Sequence, residues 1–493
     1  MNPKTYGSTL GCYGSSPQVG LLSAGEGCQL VVQKTYSLTM SRTEAIDRYL
    51  QEHLEAYLQE TIKLCAQPSV SARGQGMVAC ANLVEQILQN HGFQTWKIEG
   101  YGNPIIVGRA AGKSLRTLLF YNHYDVQPPE PLELWDSPPF QPEIREGVLY
   151  ARGAKDDKGE FVARLAAVDA ARAAHGGELP CGVLFVVEGN EEVGSPGIAK
   201  FVQDHLDLLK CDGAIWEEGG IDFEERPGSS LGRRGILAIE LEVQTLSRDA
   251  HSGSAHILPN AAWRLVRVLA SLKDENERIL IPGFYDEVKP ISELDLELFR
   301  RLPDSEQYLR ETFGVRGFVN GLTGYELKKA VFNPTCNIQG ITTGYQGEGN
   351  KTVIPAKASV KLDFRLVPDQ DPTDILNKLR AHLDAEGFTD VRITYTDYMF
   401  PAKSEADHPL VQLAARAAEE VYQKPYQLIP LTGGSSPVYA FAGPLDIPVI
   451  DAGVGFGINN RTHAPNENVR IKDFHNAARH IARILDGFAD IWN

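Results

Sequence analysis

Residues 183–195 read VLFVVEGNEEVGS, and this stretch decides the interpretation of the chain. Five successive apolar residues, 183–187, predict a strand buried on both faces, which is typical of a parallel sheet in an α/β protein. The strand runs into an acidic turn in which Glu191 and Glu192 are adjacent. Neighbouring carboxylates at the end of a buried strand repel each other, and a cation is their natural counter-charge. The stretch therefore predicts both a fold class and a place for chemistry.

Strands and helices alternate on both sides of this stretch. Residues 118–121 and 213–216 predict two further strands, and apolar periodicity predicts helices over 161–175 and 197–209. An alternation of this kind predicts an α/β sheet covered by helices. The same style returns from residue 409 onward, so both ends of the chain are expected to build this sheet.

The pattern changes near Gly235. Residues 236–242 and 360–366 show strand-like alternation, and amphipathic helices are predicted over 260–272 and 373–383. Two strand–helix–strand halves predict a smaller α+β domain, ferredoxin-like in arrangement, with one exposed sheet face.

The length of 493 residues suggests two or three domains. We expect a helix-covered α/β domain built from residues 41–234 and 400–493, with the α+β domain inserted as residues 235–399. Residues 1–40 are rich in Gly, Ser and Thr and show no sustained period, so we expect a poorly structured N-terminal extension.

Composition excludes several classes of partner. The chain has 48 Lys and Arg against 64 Asp and Glu, a net charge of −16, and no basic cluster, so nucleic acid is not an expected partner. No apolar run approaches the length of a membrane span. The seven cysteines are scattered and never form C-x-x-C, which predicts neither a disulfide framework nor a thiolate zinc site. With no readable secretory signal, we expect a cytoplasmic protein that acts on small molecules.

Candidate ligands recur where predicted strands end, which is where α/β sheets build their sites. They comprise a His-x-Asp pair, a Gly-bounded acidic turn that opens a helix, a second acidic pair and a histidine in a late loop: His123 and Asp125, Asp156 and Asp157, Glu217 and Glu218, and His463. Taken alone, Asp156 or Asp157 has an ordinary interpretation as a helix N-cap. Taken together with the acidic turn at 191–192, five such positions predict a two-metal site with one bridging carboxylate.

On these residues the chain resembles the M20 metallopeptidase family, and more closely its carnosinase-like, Cys-Gly-dipeptidase-like branch. The resemblance runs from about residue 44 to 490 and is carried by YNHYDVQP at 121–128, RGAKDDKG at 152–159, EGNEEVGS at 188–195, DAHSG at 249–253, DFRLVP at 363–368, and His463. It implies hydrolysis of an amide bond in a dipeptide or an N-acyl amino acid. It also implies two divalent metal ions per subunit, zinc in the first place, with manganese and cobalt as alternatives.

The resemblance assigns the metal ligands residue by residue. It implies that one metal is held by His123 and Glu217, that the other is held by Glu192 and His463, and that Asp156 bridges them, with a cis peptide bond after Asp156. Glu218 remains an alternative to Glu217, which we favour as the first carboxylate after the strand.

Two further carboxylates receive catalytic roles from the resemblance. Asp125 would accept the second ring N–H of His123 and so fix its tautomer. Glu191 would be the general base, which takes a proton from water and returns it to the leaving amine. The physical argument agrees, because Glu191 is adjacent to a ligand and yet is not one itself.

The resemblance also implies substrate contacts and a homodimer. Arg365 would bind the C-terminal carboxylate of the substrate with its planar fork, and Thr352 and Ser435 would donate further hydrogen bonds to it. His251 would stabilise the tetrahedral oxyanion, reaching the site from the inserted lid domain of the other subunit. The stretch 275–335 is longer than in short deacylases of the family, which favours the dipeptidase branch.

Two alternatives to a dipeptidase remain at this stage. An N-acyl-amino-acid deacylase would use the same metal site and differ only in the pocket beside it. A non-catalytic binding protein would keep the fold, but it would need no free base, and Glu191 argues against it.

Overall fold

The computed structural model describes residues 40–492. The predicted N-terminal extension, residues 1–40, lies outside this range apart from Met40. No helix within the described range is both long enough and apolar enough to cross a membrane.

The described residues contain twelve α-helices, most of them on the α/β part of the chain. Their bounds are α1 Arg42–Ala66, α2 Met77–Asn90, α3 Lys158–Ala174, α4 Ile198–Asp204, α5 Ala261–Leu272, α6 Glu293–Arg301, α7 Glu306–Phe313, α8 Gly324–Lys329, α9 Pro372–Ala385, α10 Pro409–Tyr422, α11 Tyr439–Leu445 and α12 Ile471–Phe488. The first begins as its sequence predicts, because Ser41 and Glu44 form a reciprocal capping box. The helix expected over 197–209 is shorter and ends at Asp204.

The described residues also contain twenty-one strands, several of only two residues. Their bounds are β1 Gln94–Ile98, β2 Ile105–Ala110, β3 Thr117–His123, β4 Glu143–Arg145, β5 Val148–Tyr150, β6 Gly182–Glu188, β7 Gly213–Trp216, β8 Gly220–Ile221, β9 Pro227–Ser230, β10 Gly232–Arg233, β11 Gly235–Gln244, β12 Ala250–His251, β13 Thr335–Thr343, β14 Val353–Ile354, β15 Lys357–Leu366, β16 Arg392–Met399, β17 Ala402–Lys403, β18 Gln427–Ile429, β19 Val449–Asp451, β20 Gly455–Phe456 and β21 Asn468–Arg470.

The main sheet has the order β1-β2-β6-β3-β7-β19. Its last four strands are parallel, β2 is antiparallel to β6, and β1 is antiparallel to β2. Every residue of β3 and β6 is buried, as the apolar run 183–187 predicts. Successive residues of β3 enter different cores: Phe120 packs in the core under α1, α3 and α12, and Leu119 packs in the core that contains α4 and α11. The α/β fold class is thus confirmed.

The second sheet has the order β13-β15-β11-β16 and is antiparallel throughout. With α5 between β11 and β13, and α9 between β15 and β16, the order of elements is βαββαβ, which is ferredoxin-like. Alternate residues of β11, from Leu237 to Val243, are buried against these helices, while the residues between them are only partly buried. Leu298 of α6 is an exception in this segment, because it packs into the core of the main sheet.

A small three-stranded ribbon joins two parts of the chain that are distant in sequence. β21 pairs antiparallel with β5, and Asn468 lies opposite Tyr150. β4 completes the ribbon on the other side of β5. This pairing places the loop that follows β5 beside the loop that precedes β21, and both loops carry candidate metal ligands.

Candidate metal centre

The candidate ligands meet at one edge of the main sheet. β3 ends at His123, β6 leads into the 3-10 turn Glu191–Val193, and Glu217 directly follows β7. Because β6, β3 and β7 are parallel neighbours, their carboxyl ends lie together. The convergence that the strand-end pattern predicts is therefore a consequence of the sheet order.

Asp156 lies at the middle of this group. Its Oδ1 is 3.0 Å from Nε2 of His123, and its Oδ2 is 3.0 Å from Nε2 of His463. The same His463 nitrogen is 3.1 Å from Oε2 of Glu192. Each oxygen of Asp156 thus faces a different histidine, which is the arrangement that a carboxylate bridging two metal ions requires. The Asp156–Asp157 peptide bond is cis, as the resemblance implies.

Two groups of potential ligand atoms form around Asp156, each with its atoms within 4.8 Å of one another. The first contains His123, Glu191 and Glu217, and the second contains Asp156, Glu192 and His463. All five sequence-predicted ligands are therefore brought together. Glu191, the predicted base, joins the first group, with its Oε2 4.0 Å from Nε2 of His123.

The residues present fit a pair of divalent cations. Oε2 of Glu217 is buried without a hydrogen-bond partner, and burial, followed by the nearby charge of Glu191, raises the pKa of Glu217 well above its usual range. Hydrogen bonds with Asp156 and Glu192 raise the pKa of His463 to about 10. Such an excess of buried carboxylate calls for positive charge, and a set of imidazole and carboxylate donors suits zinc or manganese.

Glu191 is placed and tuned to hold a proton. Burial raises its pKa to about 7, against the opposing charge of His123, and Asp156 and Glu192 add to the increase. The Asp125 carboxylate accepts hydrogen bonds from the backbone N–H groups of Glu191 (3.2 Å) and Glu192 (3.0 Å), which holds the acidic turn. A carboxylate with a pKa near neutrality is suited to general acid–base catalysis.

Asp125 also contacts His123, but mainly through its backbone. Nδ1 of His123 lies 3.0 Å from the carbonyl oxygen of Asp125 and 3.4 Å from its carboxylate Oδ1. Either oxygen places the N–H of the imidazole on Nδ1 and leaves Nε2 free for a metal ion. The predicted tautomer of His123 is thus supported by the backbone carbonyl as well as by the carboxylate.

The structure separates the roles of the acidic pair after β7. Glu217 is only 5% exposed and faces His123. The side chain of Glu218 is 50% exposed, and its Oε2 accepts a hydrogen bond of 2.5 Å from Arg233, which also binds Asp451. Of the two carboxylates, Glu217 is therefore the one brought to the centre.

The side chain of Asp157 has a contact other than the helix cap that its position predicts. It occupies the N-cap position of α3 but makes no capping hydrogen bond. Its Oδ2 instead accepts hydrogen bonds from Nδ2 of Asn122 (2.6 Å) and from the backbone N–H of His123 (3.0 Å). The N-cap interpretation therefore describes its position, whereas its side chain supports the strand end that carries His123.

Two of the four predicted substrate residues meet between the sheets. Arg365 extends from β15, and its Nη1 donates a hydrogen bond of 2.8 Å to Oγ of Ser435, which lies in the loop after β18. Arg365 is half-buried and lies 3.7 Å from the carboxylate of Asp363. These contacts leave part of the guanidinium fork available to a ligand.

The other two predicted substrate residues, His251 and Thr352, are exposed and lie together at the short β12–β14 pair. Nδ1 of His251 accepts a hydrogen bond of 2.9 Å from the backbone N–H of Gly253, so the proton of a neutral ring lies on Nε2. This nitrogen is 3.4 Å from Oγ1 of Thr352. The hydrogen bonds of His251 are thus made within the inserted segment rather than with the candidate metal ligands.

Comparison of the sequence with models of known protein families agrees with a metal centre at this position. The model of the peptidase family M20/M25/M40 matches residues 119–487, about three quarters of the chain. The chain belongs to this family.

The chain is similar to proteins that are named as dipeptidases and to one that is named as a carboxypeptidase. Human Beta-Ala-His dipeptidase is 32% identical over 286 residues, a match that spans 57% of this chain and 56% of the human protein's length. The Cys-Gly metallodipeptidase DUG1 of Saccharomyces cerevisiae is 27% identical, with 78% of this chain and 82% of the yeast protein covered. An M20 family metallo-carboxypeptidase from Sulfolobus solfataricus has a solved structure that is 32% identical, with a TM-score of 0.78 over 88% of this chain and 99% of that one.

Arg164 is a residue of this M20 family member that the sequence interpretation missed. It is fully buried on α3, and it donates hydrogen bonds to the carbonyl oxygens of Tyr121 (2.6 Å) and Trp216 and to the side chain of Asn122 (3.1 Å). It thereby joins the ends of the two strands that precede His123 and Glu217. The signal was a charged residue within the apolar run 161–168, which is costly unless the charge is hydrogen-bonded.

Proposed function

We propose that the protein is a two-metal dipeptidase, which cleaves the amide bond of dipeptides or short peptides with a free C-terminal carboxylate. The observation that carries the proposal is the Asp156 carboxylate, with one oxygen 3.0 Å from His123 and the other 3.0 Å from His463. The names of the relatives, Beta-Ala-His dipeptidase and Cys-Gly metallodipeptidase, support a dipeptide as the substrate class.

The proposed metals are two zinc ions, with manganese and cobalt as alternatives. His123 and Glu217 would hold one ion, Glu192 and His463 would hold the other, and Asp156 would contact both. When bound, such ions polarise the scissile carbonyl and make water a stronger acid. Asp125, Asp157 and Arg164 would orient the ligands from behind, as the partners of metal ligands commonly do.

Glu191 is the proposed general base. Its carboxylate would accept a proton from the attacking water and then pass that proton to the nitrogen of the leaving amine. It suits this task because it lies among the potential ligand atoms, where His123, Glu217 and Asp156 would hold the ion without it, and because burial brings its pKa to about 7.

Three of the four proposed substrate contacts would come from the inserted segment, and the fourth, Ser435, from the loop after β18. Arg365 would bind the C-terminal carboxylate with the part of its fork that Ser435 leaves free, and Thr352 would donate to the same group. His251 would donate from Nε2 to the oxyanion that develops on the scissile carbonyl. These contacts would select peptides with a free carboxyl end.

We propose that residues 235–399 form a lid and dimerisation domain, and that residues 41–234 and 400–493 form the catalytic domain. All proposed metal ligands lie in the second of these parts, whereas His251 is exposed on the first. In the residues that follow His251 in the sequence, the large apolar side chains of Ile257, Trp263 and Val266 are also exposed. A homodimer would bury this apolar surface and bring each His251 to the partner subunit's centre.

We further propose a reducing, cytoplasmic location. The five cysteines within the described residues are all unpaired, and four of them are buried: Cys65, Cys80, Cys181 and Cys336. Buried free thiols of this kind are usual in proteins of reducing compartments.

A substrate screen tests the proposed activity. Metal-free protein is loaded with zinc, manganese or cobalt and is offered dipeptides, the matching dipeptide amides and N-acyl amino acids. We expect hydrolysis of dipeptides, little of their amides, and little of the acyl compounds. Preferential cleavage of N-acyl amino acids would identify a deacylase, and binding of all three without turnover would identify a non-catalytic protein.

A further inference from the structure

The ribbon formed by β5 and β21 places two ligand-bearing loops side by side. The loop after β5 contains Asp156, and the loop before β21 contains His463, four residues ahead of Glu467. The backbone N–H of Ala151 donates a hydrogen bond of 3.1 Å to the carbonyl oxygen of Glu467, next to the paired residues of the two strands. The backbone of Glu467 therefore lies where the two loops come together.

The Glu467 carboxylate receives four hydrogen bonds, all from the Asp156 loop. Its Oε1 accepts from the backbone N–H groups of Lys155 and Asp156, each at 3.0 Å. Its Oε2 accepts from the backbone N–H of Gly153 at 3.0 Å and from Nη1 of Arg152 at 2.7 Å. Glu467 is 0% exposed, so water cannot replace these contacts.

This set of donors specifies an ionised carboxylate. Two carboxylate oxygens offer about four lone-pair sites, one for each of the four donors. A glutamine of the same size would turn an NH₂ group toward two of those donors and leave buried N–H groups unpaired. The buried Arg152 supplies the charge that makes an ionised Glu467 tolerable at this position.

We propose that Glu467 is a positioning residue for the metal centre, which holds the Asp156 loop in its ligand-binding shape and joins that loop to the His463 loop. The inference rests on the proposed function, because it concerns the bridging carboxylate of that centre. A loop that is ordered before the ions arrive spares them the entropic cost of ordering it. Loss of Glu467 should therefore weaken metal binding, and it should loosen the loop in the metal-free protein as well.

The test compares Glu467→Gln with wild type and with a matched control, Asp473→Asn. Asp473 is also a buried carboxylate paired with an arginine, Arg470, and it lies at the start of α12 just after β21, without a hydrogen bond to the Asp156 loop. Titration calorimetry of zinc into metal-free protein should show affinity about 10- to 100-fold weaker in Glu467→Gln and little changed in Asp473→Asn.

Amide exchange in metal-free protein supplies a second measurement that does not depend on activity. Peptides covering residues 150–158 should exchange faster in Glu467→Gln than in wild type, while peptides from β3 and β6 stay protected. If Glu467→Gln does not fold, Glu467→Asp, which keeps the charge with a shorter reach, should show the same two effects to a smaller degree.

The outcomes separate this inference from the proposed function. A wild-type protein that binds none of zinc, manganese and cobalt would overturn both. Two bound ions in wild type, together with unchanged zinc affinity and unchanged exchange in Glu467→Gln, would overturn only the role of Glu467. Equal losses in Glu467→Gln and Asp473→Asn would also overturn it, because the effect would then be general destabilisation.

Discussion

The two sheets of this protein differ in what their strands can support. In the main sheet, β3 and β6 are buried throughout, and the charged groups at their ends, such as His123 and Asp125, are buried too and held by contacts within one chain. In the second sheet, burial alternates along β11, and the functional candidates nearby, His251 and Thr352, are exposed. The first region thus holds its candidate groups by contacts within one chain, whereas the second leaves His251 and Thr352 open to solvent, as the proposed dimer would require.

Removal of the metals should give the largest effect and should fall on the first region alone. We expect chelation to abolish hydrolysis while the far-UV circular dichroism of the protein stays near that of the native state, because both sheets keep large apolar cores of their own. Activity and circular dichroism are measured before chelation, after it, and after zinc is restored. Full activity in protein that elemental analysis finds free of metal would refute the two-metal centre.

Replacing Glu191 and Glu192 one at a time should separate proton transfer from metal binding within the first region. Glu191→Gln keeps the shape of the side chain but cannot accept the proton, so we expect kcat to fall by about 10²–10⁴-fold or more with metal content unchanged. Glu192→Gln should instead lose metal, because it removes a ligand of His463's group. Metal analysis and turnover numbers of both variants check this, and exchanged phenotypes would reverse the assignment of base and ligand.

Complementation tests whether the second region acts on another chain. His251→Ala should lower kcat by about 10²–10³-fold, the cost of losing an oxyanion donor. When it is mixed with Glu191→Gln under conditions of subunit exchange, activity should return, because one site of each mixed dimer has an intact Glu191 and the partner subunit's intact His251. The absence of recovery after verified exchange would show that His251 does not complete the site of its partner.

Arg365 lies where the two regions meet, and its replacement should have an intermediate effect. Arg365→Lys keeps the charge but loses the planar fork, so kcat/KM for a dipeptide should fall by about 10- to 100-fold. The same substitution should change little for the dipeptide amide, which lacks the anion. Equal wild-type efficiency on the dipeptide and its amide would remove Arg365 from the substrate site.

The smallest effect concerns the helix layer of the first region. His91 lies between Asp169 (2.5 Å) and Glu60 (3.0 Å). Burial lowers the pKa of its imidazole, but hydrogen bonds to these two carboxylates outweigh burial and raise it to about 9. Because the unfolded pKa is about 6.5, this stabilisation is complete below pH 6.5 and is lost as the pH rises through about 9.

Urea unfolding across this pH range measures the effect. The free energy of unfolding of wild type should fall on the order of 1–3 kcal/mol more between pH 6 and pH 9 than that of His91→Gln. His53→Gln, which changes an exposed histidine on α1, is the control and should follow wild type. Parallel curves for wild type and His91→Gln would show that His91 does not contribute this stability.

Much of the fold was readable from local pattern. The apolar run at 183–187 predicted a strand buried on both faces, and the capping box at Ser41 marked the start of α1. Signals of this kind can be read from a sequence because they depend only on residues that are neighbours along the chain. Helix ends were less accurate, as the early end of α4 at Asp204 illustrates, since tertiary packing decides where a helix stops.

The sequence by itself also determined the chemistry of the centre, because carboxylates and imidazoles after successive strands name the ligand types without any coordinates. Only the tertiary structure decided which groups serve that centre. In the tertiary structure Glu217 is buried beside His123, Glu218 pairs with Arg233, and Arg164 and Glu467 hydrogen-bond to the segments that carry the candidate ligands. The physical reason is distance along the chain: Glu467 and Asp156 meet through the pairing of β21 with β5, and no local pattern records a contact between residues 311 positions apart.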